Sequence, residues 1–134
     1  LGSAIEQCIL PSMVSNADIL FAEDDPVLRE IYKKKFTIAG YEVRTTVNGA
    51  ETITAIEEKT PDALVLDINM PEVNGFEVLK KYPKSLRKFP VVLLTNLADD
   101  HTREEGEALG ADGFFIKSQM TIKTLIEMVN DLLG

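Results

Sequence analysis

The stretch Ala63-Leu64-Val65-Leu66-Asp67 closes an apolar run on a single carboxylate. Four consecutive apolar residues without a polar alternate do not fit a half-exposed strand. They fit a strand in the middle of a parallel sheet, covered on both faces. A charge at the end of such a strand is expensive to bury unless something pairs with it. Asp67 therefore calls for partners from elsewhere in the chain.

Outward from this strand, the same grammar repeats. Ile19-Leu20-Phe21-Ala22 is a second short apolar run, and it ends on Glu23-Asp24-Asp25. Pro90-Val91-Val92-Leu93-Leu94 ends on Thr95, and Phe114-Phe115-Ile116 ends on Lys117. Tyr41, Val43 and Thr45 alternate with polar residues, as an edge strand does. Between the runs lie helical patterns. Asp25 caps the first and Pro26 opens it at a position whose amide has no helical partner anyway. Its apolar side is read as Val27, Leu28, Ile31, Tyr32, Phe36 and Ile38, and Gly40 ends it. Asn48-Gly49 has the look of a hairpin turn, but Ala50, Ile53, Ala55 and Ile56 follow at helical spacing, so a helix is expected there. Further helices are expected over about Val73 to Lys81, with Gly75 where a side chain would crowd the strand end, over a polar segment from about Asp99 to Leu109, and from Thr121 to Leu133. The last turns Ile122, Leu125, Ile126, Val129 and Leu132 inward. The alternation reads as (βα)5.

Ligands of open α/β sheets bind beyond the carboxyl ends of the strands. Glu23, Asp24, Asp67, Thr95 and Lys117 all stand at such ends, on four different strands. Three acids in one crevice call for a cation. An all-oxygen set without thiol or imidazole selects a hard ion, magnesium or manganese. Asp24 and Asp67 are the direct ligands expected, with Glu23 acting through water and the backbone carbonyl near Asn69 completing the set. Asp67 is then available as an oxygen nucleophile. Lys117 and the Thr95 hydroxyl would meet the oxygens of an incoming phosphoryl group.

Composition narrows the classes. The chain has 134 residues, 45% of them apolar, enough for one domain with one core. Its net charge of −8 argues against nucleic-acid binding by this domain. The basic tract Lys80 to Lys88 reads as a solvated helix end and loop. Cys8 is the one cysteine, so neither an internal disulfide nor a zinc site is expected. His101 is the one histidine and lies in a polar stretch, read as exposed. No apolar run approaches the roughly 20 residues of a membrane span, and no signal peptide is visible. A cytoplasmic protein is expected. Residues 1–16 read as an N-terminal arm, Gly2-Ser3 having the look of an expression remnant, and 17–134 as the domain.

The chain resembles the receiver domain of two-component response regulators from Asp18 to Leu133. The pieces that carry the resemblance are Ile19 to Pro26, Leu64 to Pro71 with Gly75, Val91 to Thr95 and Gly110 to Lys117, in that order and separation. The resemblance implies a three-layer flavodoxin-like fold with a central five-stranded parallel sheet of strand order 2-1-3-4-5. It implies a phosphoacceptor at Asp67 and Mg2+ (Mn2+ as a substitute) held by Asp24, Asp67, the Asn69 carbonyl and water beside Glu23. Thr95 and Lys117 would contact the phosphoryl group, and Thr95 and Phe114 would form the switch. The donor would be a sensor histidine kinase or a histidine phosphotransfer protein. The family catalyses its own phosphorylation and slow dephosphorylation. Its fourth helix, fifth strand and fifth helix dock effectors or a second copy; here Arg103, Glu104, Glu107, Lys123 and Glu127 would supply charge.

Three positions depart from the family pattern. Ser118 replaces the usual proline after the lysine. Either the Lys117–Ser118 bond is cis, at a cost of about 2.5–4 kcal/mol, or the loop runs trans and is reshaped. Phe114 stands where tyrosine is common. Asn96 follows Thr95 where alanine or glycine is usual and would narrow access to the phosphoryl group, while Asn69 lies close to where an attacking water would be ordered. Two other readings compete. One is a receiver-like module that binds partners without phosphorylation. The other is a hydrolase passing through an aspartyl-phosphate, which would need a second acid where Asn69 stands and a covering element that the sequence does not show. A stand-alone regulator and a receiver belonging to a longer protein are both compatible with the chain.

Overall fold

The apolar runs are two-sided because each strand feeds two cores. Along a strand successive side chains point to opposite faces. In the computed structural model, which describes residues 17–70, 72–96 and 100–134, Ile19, Phe21, Val65, Val92 and Leu94 face one cluster, and Leu20, Leu64, Leu66, Val91 and Leu93 face another. All ten are at most 1% exposed, which is why the sequence shows no polar alternate.

The elements follow as β1 (Asp18–Ala22), α1 (Pro26–Ile38), β2 (Glu42–Thr46), α2 (Gly49–Glu58), β3 (Ala63–Asp67), α3 (Gly75–Lys81), β4 (Val91–Thr95), α4 (Asp100–Ala108), β5 (Gly113–Ile116) and α5 (Ile122–Leu133). The sheet is parallel throughout, with order β2-β1-β3-β4-β5. This is the (βα)5 flavodoxin-like fold expected from the sequence. The first cluster holds Tyr32 and Phe36 of α1 and Leu125 and Val129 of α5. Phe21 stacks on Tyr32 at 5.3 Å and meets Phe36 edge-on at 4.8 Å. The second cluster holds Ile56 of α2 and Val78 and Leu79 of α3.

Local chemistry fixes the helix ends. Asp25 accepts from Val27 N at 2.9 Å and Leu28 N at 3.3 Å. Asn48 caps α2 by accepting from Glu51 N at 2.8 Å, so the Asn-Gly pair is a helix start and not a hairpin. Asn74 and Glu77 form a reciprocal capping box at α3, which moves its start from Val73 to Gly75. Gly40, with φ of 103°, supplies the left-handed residue after α1.

Some expectations need correction. Val27, Ile31 and Ile38 are 66%, 36% and 73% exposed, so they do not belong to the buried side of α1; Tyr32 and Phe36 carry it. The Lys80–Lys88 tract is not wholly solvated. The Arg87 side chain is 1% exposed and donates to the carbonyls of Tyr82 and Phe89 and, at 2.8 Å, to Asp112 Oδ2. Asp112 also accepts from Val91 N, tying the turn before β5 to the start of β4. The N-terminal arm and Cys8 lie outside the described residues.

Candidate phosphoacceptor site

Parallel strands point their carboxyl ends the same way, so the topology gathers what the sequence scatters. Asp67 is the last residue of β3, Thr95 the last of β4, Glu23 follows β1, and Lys117 follows β5. One oxygen from each of Glu23, Asp24 and Asp67 lies within 4.8 Å of the others. Glu23 is fully buried and Asp67 nearly so, whereas Asp24 faces solvent. Lys117 Nζ sits between the two buried acids, 2.6 Å from Glu23 Oε1 and 3.0 Å from Asp67 Oδ2. Its amide donates to the Thr95 carbonyl at 2.8 Å, which holds the lysine at the edge of β4.

The electrostatics are unbalanced. Three carboxylates face one ammonium, so the crevice keeps net negative charge. Glu23 Oε1 is held by the Lys117 ammonium, a short charge-assisted contact. Burial pushes the Glu23 carboxyl up from 4.5 to about 7; the neighbouring Asp67 adds to this and Lys117 opposes it. Burial alone would pull the Lys117 ammonium down, but Glu23 and Asp67 more than offset it, and its pKa is raised. An all-oxygen donor set in which carboxylates outnumber the ammonium fits a divalent cation. Glu23, Asp24 and Asp67 are the residues that can hold it.

The other expected residues fall around this crevice. Asn69 N donates to Asp67 Oδ1 at 3.1 Å, closing the loop over the acceptor, and the Asn69 side chain is exposed. Asn96 is exposed at the end of β4. No peptide bond among the described residues is cis, so Lys117–Ser118 is trans, and Gln119 N and Met120 N both donate to the Ile116 carbonyl to form the turn. The lysine reaches both acids without a cis bond. His101 is exposed, as expected, and has no place in the crevice.

Two close approaches shape the site. A Cβ at Gly75 would lie 2.5 Å from the Asp67 carbonyl oxygen and 2.8 Å from Ile68 Cα. The first residue of α3 thus touches the backbone of the acceptor itself. On the far side, Phe114 is half-buried beneath α4, where a Cβ at Gly106 would lie 2.4 Å from its Cζ and 2.8 Å from Leu93 Cδ1. A mid-helix glycine costs about 0.5–1 kcal/mol relative to alanine, and Gly106 is the one buried residue of α4. Its value lies in the seat it leaves for the ring. Gly106→Ala is expected to turn Phe114 outward, since a flexible ring tip yields before backbone does. The check is the exposure of a fluorinated phenylalanine at position 114 by 19F NMR; an unmoved resonance would show that α4 shifts instead.

Arg29 escaped the sequence reading. One turn into α1, its Nη1 reaches back to the Glu23 carbonyl at 3.1 Å and the Asp24 carbonyl at 3.4 Å. The available signal was a basic residue one helical turn after the capping Asp25, which is a common and unspecific pattern.

Comparison with known proteins agrees with this geometry. The family described as response regulator receiver domain matches residues 19–130. A probable transcriptional regulator, ycf27, of Cyanophora paradoxa is 33% identical over 104 residues, covering 78% of this chain and 43% of the relative. The response regulator SaeR of Staphylococcus aureus is 32% identical over 115 residues, covering 86% of this chain and 50% of the relative. The chain therefore spans about half the length of the curated relatives it matches. Among solved structures, the receiver domain of Francisella response regulator 1452 superposes with a TM-score of 0.83 at 30% identity, covering 88% of this chain and 97% of that one. The Vibrio cholerae chemotaxis protein CheY4 gives 0.79 at 30% identity, with 87% and 98% covered. With its crevice of acids and lysine at the strand ends, the chain belongs to the response regulator receiver domain family.

Proposed function

We propose that this domain accepts a phosphoryl group on Asp67 from the phosphohistidine of a sensor histidine kinase or a histidine phosphotransfer protein, and passes the event to a partner as a change of surface. The observation that carries this reading is the Lys117 ammonium bridging Glu23 and Asp67 in a crevice where three carboxylates outnumber it. Magnesium, or manganese in its place, is the ion proposed, on Asp24, Asp67 and the Asn69 carbonyl, with Glu23 acting through water. When bound, it offsets the charge of the acids and of the phosphoryl oxygens.

The chain's own residues do the rest. A carboxylate oxygen of Asp67 forms the new bond to phosphorus in line with the breaking P–N bond. The electron pair of that bond returns to the donor imidazole, which carries a proton on its other ring nitrogen and so leaves neutral. Asn69 N–H holds Oδ1 of the acceptor. Lys117, already 3.0 Å from Oδ2, neutralises charge developing on a phosphoryl oxygen. Thr95, at the end of the adjacent strand, offers its hydroxyl to another oxygen. The acyl phosphate adds negative charge and new acceptor atoms at one point, which gives Thr95 and Phe114 a reason to repack. The face of α4, β5 and α5 is the proposed docking or dimer surface, with exposed Arg103, Glu104, Glu107, Lys123 and Glu127. No helix among the described residues is long and apolar enough to cross a membrane. A cytoplasmic setting and the absence of nucleic-acid contacts by this domain, at net charge −8, belong to the same proposal.

The test is transfer of label from a phosphorylated histidine donor. Wild type should take up label, and Asp67→Asn should take up none. A second outcome concerns lifetime. Asn96 is exposed one residue past the end of β4, the strand paired with that of Asp67, and from there its bulk would restrict the approach of water. Asn96→Ala is expected to speed loss of phosphate several-fold, and an unchanged decay would remove Asn96 from the account.

A further inference from the structure

Asp24 has to present its carboxylate to the crevice, yet it belongs to no strand or helix. Residues 23–25 leave β1 and enter α1 without a ladder or helical hydrogen bond to fix Asp24. The backbone holds only its neighbours, Glu23 N donating to the Thr46 carbonyl at 3.0 Å and Arg29 N to the Asp25 carbonyl at 2.9 Å; side chains do the rest. Glu23 Oε2 accepts from Asp25 N at 3.2 Å, Asp25 caps α1, and Arg29 closes the loop from the other side. Its Nη1 is shared between the carbonyls of Glu23 and Asp24.

We infer that Arg29 is a positioning residue for the divalent-ion site: its guanidinium clamps the peptide carbonyls of Glu23 and Asp24 and so fixes the direction of the Asp24 carboxylate. The inference rests on the proposed phosphoacceptor reading, and adds to it a residue that contacts neither ion nor phosphoryl group.

The choice of residue is informative because charge and position pull in opposite directions. A fixed cation beside a cation site repels the ion. Were charge the whole effect, its removal would tighten ion binding. Were position the larger effect, removal would weaken it, since groups that orient a ligand are worth about 10- to 100-fold in metal affinity. Crystal-like rigidity is not needed; a shared donor on two successive carbonyls suffices to restrict the one unsupported residue of the set. Lysine keeps the charge but carries it on a flexible, strongly hydrated ammonium, which is not pre-organised to hold one donor between two carbonyls as the planar guanidinium holds Nη1.

The experiment is isothermal titration calorimetry of the whole chain with MgCl2 alone, for wild type, Arg29→Gln and Arg29→Lys, each with a thermal melt. Both variants are expected to bind Mg2+ about tenfold more weakly, at melting temperatures near wild type. Tighter or equal binding by Arg29→Gln, or wild-type binding by Arg29→Lys, would overturn the assignment. Weakening matched by an equal loss of fold stability in both variants would overturn it too, leaving Arg29 as a brace for α1. Wild type that fails to bind Mg2+ at all would instead overturn the phosphoacceptor reading on which the inference stands.

Discussion

Lys117→Met is expected to lower the folding stability of the chain by about 3 kcal/mol near pH 8 and to abolish most phosphate uptake. Removing one partner of a buried ion pair costs about 3–5 kcal/mol because the other charge is left stranded. Here two acids are stranded, Glu23 with no exposure and Asp67 with a 4% exposed side chain. The low end of that range applies because Glu23 can take up a proton instead. Its carboxyl already stands at about 7 against 4.5 when unfolded, through burial first and Asp67 second. A group raised in the folded state binds more protons there than in the unfolded state, so its contribution falls as pH rises from 4.5 through 7. Without the ammonium that opposes this shift, the fall must be steeper. The stability deficit of Lys117→Met should therefore shrink as pH is lowered toward 4.5. Millimolar MgCl2 should restore part of it at pH 8, because a divalent ion supplies the missing positive charge. Urea unfolding at the two pH values, with and without MgCl2, reads all three outcomes. A deficit independent of pH and of the ion would show that Lys117 acts by packing alone.

Gly75→Ala comes second in expected size. Its Cβ would lie 2.5 Å from the Asp67 carbonyl oxygen and 2.8 Å from Ile68 Cα, both backbone atoms at the end of a central strand. Neither can swing aside as a side-chain tip can. Gly75 N also donates to the Ile68 carbonyl at 3.0 Å, so the helix start cannot back away without losing that bond. Overpacking of this kind costs about 1–3 kcal/mol. The functional effect should exceed the stability effect, because the backbone that must move carries the acceptor carboxylate. Phosphate incorporation from acetyl phosphate is expected to fall by at least tenfold while the far-UV spectrum remains that of wild type. Gly106→Ala should behave differently. There the obstacle is the tip of a phenylalanine ring, and the expected result is a moved side chain with the acceptor intact.

How far the sequence could be read depended on how local each signal was. The strands were legible because a double-covered strand writes both of its faces in apolar residues, as Ile19 to Ala22 and Val91 to Leu94 do. The acids and lysine of the site were legible because topology alone sends strand ends to one edge. Helix boundaries were legible where a cap was specific, as at Asp25-Pro26, and misplaced where it was not, as at Val73. The faces of α1 were misjudged because Val27 and Ile38 fit the helical spacing of a core although only Tyr32 and Phe36 are buried. Partners distant in sequence were invisible. Arg87 looked like one more charge in a basic tract, and nothing within that tract shows Asp112 waiting 25 residues later. Asp18 likewise gives no local sign that Arg44 Nη2 stands 2.7 Å from it at the other end of the sheet from the site. Arg29 was overlooked for a different reason: its partners are backbone carbonyls, which leave no mark on the sequence at all.

Everything proposed for this chain turns on one carboxylate being the atom that receives the phosphoryl group. The measurement that tests this most directly is incubation with acetyl phosphate and MgCl2, followed by borohydride trapping and mass spectrometric mapping of the modified peptide. The account predicts a single modified residue, Asp67, and no modification when magnesium is chelated beforehand. Modification of another residue, or equal uptake by Asp67→Asn, would contradict it.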